Sequence, residues 1–71
     1  MSEEINRIRV VLSELNLKHK WLADKIDKNP STISQWCTNS RQPSLENLLK
    51  IAKALDIDIR ELLCQTKNST N

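Results

Sequence analysis

Glycine is absent from all 71 residues, and proline occurs only at Pro30 and Pro43. Hairpins and tight turns lean on glycine for positive φ, so this chain argues against a turn-rich β fold. Leu, Ile, Lys, Glu and Ala instead recur at helical spacing, which gives an all-α class. This length predicts one domain. Such a chain buries only about 60% of its unfolded surface, too little for a large enclosed catalytic pocket. Residues 1–64 are expected to form the domain. Residues 65–71 contain no apolar side chain and are expected to be a disordered tail.

Ile5, Ile8, Leu12 and Leu15 recur at three and four residues and predict a first helix from Glu3 to Leu15. Val11 widens its stripe, Ser2 is its cap, and Glu3 and Glu4 suit the positive end of its dipole. Asn16-Leu17 breaks the pattern. Leu22, Ala23 and Ile26 mark a short second helix beginning at Lys18 or His19, and Asp27-Lys28 forms the turn. Asp27 is expected to take the left-handed conformation that glycine usually fills there. Asn29 can cap a third helix over residues 30–38, with Pro30 at its first position. Thr38 to Pro43 reads as a loop. Ser44 caps a fourth helix, Leu45 to Leu55, and Asp58 and Glu61 have capping-box spacing for a short fifth helix ending near Leu63.

The third helix carries the chemistry. Ile33 and Trp36 point to one side and are expected to be core, whereas Ser31, Ser34, Gln35 and Thr38 share another face. No Asp or Glu occurs from Lys28 to Leu45, while Lys18, His19, Lys20, Lys28 and Arg41 surround the segment. A neutral hydrogen-bonding face framed by cations suits base edges and phosphates of DNA. An ordinary solvated face has the same composition. Cys37 and Cys64 make no C-x-x-C, and His19 is the sole histidine, so neither a metal site nor a cofactor is expected. Cys37 is expected to pack as a small hydrophobe, with a redox-sensing thiol as the alternative. No paired carboxylates, nucleophile–base set or phosphate loop appears, which argues against an enzyme. Glu3 and Glu4 precede no apolar h-region, and no run of about 18 apolar residues exists, so neither a signal peptide nor a membrane span is expected. A reducing cytoplasm is the default.

Leu17 through Leu63 resembles the Cro/lambda-repressor-like, or Xre-type, helix-turn-helix domain. The resemblance rests on Leu22-Ala23, Ile26, Ser31-Thr32-Ile33-Ser34-Gln35-Trp36, Pro43-Ser44-Leu45, the run Leu48 to Leu55, and Glu61-Leu62-Leu63. It implies a compact five-helix domain that binds double-stranded DNA with its third helix in the major groove. It places the base-reading positions on Pro30, Ser31, Ser34 and Gln35, with Thr38 at the helix end. Gln35 is the strongest reader, since its amide can bond adenine in two places. His19 stands where the family usually has a phosphate-contacting Gln, and Lys18, Lys20, Lys28 and Arg41 are further phosphate candidates. Trp21 is left between packing and a phosphate contact.

Leu12 and Cys37 replace an Arg–Glu ion pair common in relatives, so the two are expected to touch. Asp27 and Asn39 stand where relatives commonly have glycine, at some strain. The reading is a transcriptional regulator acting as a homodimer, with Ile57, Ile59, Leu62 and Leu63, extended to Cys64, as the dimer surface. The same residues could instead close the core. A prokaryotic or phage-like repressor on cytoplasmic nucleoid DNA, without a small-molecule ligand, fits best. An antitoxin-like or other protein-interaction module is the alternative.

Overall fold

The computed structural model describes residues 4–67. It contains four α-helices, α1 (Ile8–Glu14), α2 (His19–Ile26), α3 (Pro30–Cys37) and α4 (Leu45–Leu55), and one 3₁₀ turn over Ile59–Leu62. Local caps set the later helices where the sequence places them. The Asn29 side chain accepts from the Ser31 N–H at 2.9 Å, and the Ser44 hydroxyl accepts from the Asn47 N–H at 3.1 Å. Fully buried Ile8, Leu12, Leu22, Ile33, Ile51 and Leu62 join every element in one core. Trp36 is buried there too, as is Cys37.

Without glycine, the chain ends all four α-helices on Asn or Asp. Asn16, Asp27, Asn39 and Asp56 have φ of 59°, 58°, 62° and 56°. At each one the following N–H reaches back five residues to a helix carbonyl. Leu17 donates to Leu12 at 2.8 Å, Lys28 to Ala23 at 2.8 Å, Ser40 to Gln35 at 3.1 Å and Ile57 to Ala52 at 3.0 Å. This is the Schellman closure, built on the two non-glycine residues that best tolerate left-handed backbone.

Two expectations are corrected at the ends of the chain. Helix α1 begins at Ile8 rather than Glu3. The backbone before it is spent on distant partners: Asn6 bridges Leu63 in antiparallel fashion, the Arg7 N–H donates to Leu62, and the Cys64 N–H donates to Ile5. Ile5, in that paired segment, and Leu15, the C-cap of α1, are half-exposed rather than part of the core stripe. The expected Ser2 cap and Glu3 lie outside the described residues. The fifth helix is a single 3₁₀ turn. Its capping box between Asp58 and Glu61 is present, but Leu63 turns extended to meet Asn6, which stops the helix after four residues. Of the expected tail, residues 65–67 are exposed and residues 68–71 lie outside the described residues.

A buried amide cluster fastens this N-terminal segment to the loop after α3. Asn39 Oδ1 accepts from the N–H groups of Ile5 at 2.8 Å and Asn6 at 2.9 Å, and from Gln42 Nε2 at 3.2 Å. Asn6 Nδ2 donates to the Trp36 carbonyl at 2.9 Å and to Gln42 Oε1 at 2.8 Å, while Asn6 Oδ1 accepts from the Ile8 N–H at 3.1 Å. Asn39 is thus more than a strained substitute for glycine. Its buried amide ties the backbone of Ile5 and Asn6 to the Gln42 side chain, and such a network holds when every member is satisfied.

Candidate nucleic-acid interface

Helices α2 and α3 are joined by Asp27, Lys28 and Asn29 alone. The left-handed Asp27 turns the chain, and Asn29 then opens α3 in extended conformation. Ile33, Trp36 and Cys37 point into the core. The opposite face leaves Pro30, Ser31, Gln35 and Thr38 exposed and Ser34 half-buried. All five expected base-reading residues therefore lie on or beside one short helix, with Thr38 as its C-cap.

They are not equally free. The Ser31 hydroxyl lies 2.9 Å from Asn29 Oδ1 and donates to it, so it is held by the cap. The Thr38 hydroxyl is within 3.2 Å of the Gln35 carbonyl and 3.1 Å of the Ser40 hydroxyl. Ser40 also approaches that carbonyl through both its hydroxyl, at 3.2 Å, and its N–H, at 3.1 Å. The end of α3 is consequently satisfied from within. No hydrogen bond among the described residues engages the Gln35 side-chain amide, so its donor and acceptor are both presented outward.

Lys18, Lys20, Lys28 and Arg41 are all exposed. The two ion pairs among the described residues, Arg9–Glu4 at 3.4 Å and Arg60–Asp58 at 3.2 Å, involve none of them. Their charges are therefore uncompensated at close range. Half-buried His19 opens α2, and Lys18 before it makes no side-chain cap. The first N–H groups of α2 are left for solvent or an anion, and the helix dipole favours the anion. Sequence reasoning missed this feature. The signal was present, because a lysine occupies the position where Ser, Thr, Asp or Asn usually satisfies those donors.

Trp21 is half-buried against the core, and Lys25 Nζ sits 5.5 Å from its ring centroid. Leu12 and Cys37 fall in the same core cluster. Cys37 is 1% exposed. Burial pushes its thiol up to about 11 against a weaker opposing pull from Arg9. A thiol held neutral and covered is a poor redox sensor, so packing is the reading that stands. Of the expected dimer residues, Ile57 and Ile59 pack partly buried against the core and Leu63 is 39% exposed, with Cys64 half-buried. Leu62 is corrected: at 0% exposure it closes the core and offers nothing to a second copy. No described helix is long and apolar enough to cross a membrane.

The family model for helix-turn-helix proteins matches residues 6–62. The solved structure of a candidate DNA-binding protein from Bacteroides fragilis is 47% identical and superposes with a TM-score of 0.82. The match covers 84% of this chain and 97% of that one. No curated protein sequence matches. With the matched span running from the bridge at Asn6 to the core residue Leu62, and with α2, turn and α3 at its centre, the chain belongs to the Xre/Cro-like helix-turn-helix family.

Proposed function

We propose that this protein is a sequence-specific regulator of transcription, acting as a repressor, that reads the major groove of double-stranded DNA with α3. The observation that carries the proposal is the outward amide of Gln35 on a helix face without acidic residues, flanked by four cations, all of them without a side-chain partner among the described residues. Family membership and the description of the Bacteroides fragilis neighbour support DNA binding. Gln35 reads a base edge, with adenine the best match to its amide. Ser31, Ser34 and Pro30 make less selective contacts, and Thr38 contributes as an acceptor. Lys18, Lys20, Lys28 and Arg41, with His19 and the open N-terminus of α2, hold phosphates and set the register.

One short helix reads only a few base pairs. Tight binding therefore calls for two copies on half-sites about 34 Å apart. We assign the contact between copies to the carboxy-terminal surface of Ile57, Ile59 and Leu63.

The test is binding to random-sequence and genomic duplexes across a salt series. Gln35→Ala is expected to relax sequence preference, losing about 1–3 kcal/mol at one position. Lys28→Ala is expected to weaken all sequences alike and lower the salt slope by about one. Weak, sequence-blind binding by the wild type that vanishes near physiological salt would sink the proposal.

A further inference from the structure

A second basic site lies away from α3. A groove of 610 Å³ runs between α2 and the later half of α4. Trp21, Ile26 and Ala54 form its apolar floor, and Lys25, Lys50 and Lys53 stand on its rim against a single acid, Asp27. None of the three lysines is in an ion pair among the described residues, and all three are exposed. No residue of α3, and none of the cations assigned above to phosphates, lines it.

We propose that this groove docks an acidic segment of a partner protein, one in which carboxylates flank an apolar side chain. The charge pattern selects that occupant. Three ammonium groups against one carboxylate around an apolar floor complement carboxylates spaced about an aliphatic or aromatic residue, and steer such a segment to the groove. The indole supplies the amphipathic contact area typical of binding surfaces. Lys25 Nζ already lies 5.5 Å from the Trp21 ring centroid, so that face of the indole is occupied and the rest of the floor, with Ile26 and Ala54, receives the apolar side chain. The proposal goes beyond DNA reading and gives the domain a way to contact another protein while α3 is engaged.

The probe is a short synthetic peptide of Asp and Glu around a central pair of leucines, titrated into the full chain. The readout is the pair of indole N–H resonances, assigned with Trp21→Phe. The Trp21 resonance is expected to shift while that of buried Trp36 stays put. The triple variant Lys25→Gln/Lys50→Gln/Lys53→Gln is expected to weaken peptide binding by about tenfold or more, with an unchanged Trp36 resonance reporting an intact fold. Specific DNA affinity and its salt slope are expected to remain as in the wild type. A Trp21 resonance unmoved by the peptide overturns the proposal, and so does peptide binding that the triple variant leaves intact. A triple variant that instead lowers the salt slope for DNA would make the groove a further phosphate contact.

Discussion

Asn39 differs from the other three left-handed residues in what its side chain does. Asn16, Asp27 and Asp56 are exposed, and two of them set a carboxylate beside the negative end of a helix dipole. Glycine should relieve both penalties at Asp56, so Asp56→Gly is expected to raise stability by about 0.5–1 kcal/mol in urea unfolding. Asn39→Gly keeps the backbone comfortable but deletes an amide that three donors share. It is expected to lower stability by about 1–3 kcal/mol, and Asn39→Ala, which also strains the backbone, by more. Opposite signs at two positions with nearly the same φ would isolate the side chain's contribution. Cys37 gives a second test. An unfolded thiol ionises near 9.0 and the native one near 11, so the native state binds the extra proton between those values. Stability is therefore whole below about pH 9 and falls as pH rises towards 11. Cys37→Ala should lack that slope in denaturation curves collected across the same range.

At the scale of elements, what could be read from the sequence was what is local. Asn29-Pro30 and Ser44 carry their capping information within a few residues, and α3 and α4 begin where those residues place them. Periodicity likewise told which α3 side chains face outward. It could not tell that the hydroxyls of Ser31 and Thr38 are turned back onto the cap and the Gln35 carbonyl, because that depends on rotamers. Helix α1 and the last turn were misjudged for one reason. Their ends are decided by Asn6 meeting Leu63 and by Asn39 reaching Ile5, contacts between residues far apart in the chain. The uncapped start of α2 leads to a prediction at this scale. Lys18→Asp supplies the missing cap and is expected to raise stability by about 0.5–2 kcal/mol. The same carboxylate would repel a phosphate there, so DNA affinity should drop and the salt slope should shrink by about one. A variant that gains stability and keeps full affinity would remove the α2 N-terminus from the interface.

Across the whole molecule, the two grooves differ in the sign of their charge. The groove between α2 and α4 sets three lysines against one acid, while Glu4, Asp58 and Glu61 outnumber Arg7 and Arg60 in a groove of 890 Å³ beside half-exposed Leu63. Under the proposed function, α3 meets the duplex and the surface around Leu63 is left to a second copy. Leu63→Asp is expected to reduce affinity for a duplex with two half-sites and to leave single half-site binding unchanged, as measured by fluorescence anisotropy. Equal loss on both duplexes would place Leu63 outside the contact between copies. The antiparallel bridge has a further consequence. With the Cys64 N–H 2.8 Å from the Ile5 carbonyl, the chain enters and leaves the fold side by side. A short linker from Cys64 to Ile5 could therefore close this fold into a ring and a new opening be cut at the exposed turn around Asp56, giving a circular permutant that keeps α3 intact although its residues are made in a different order.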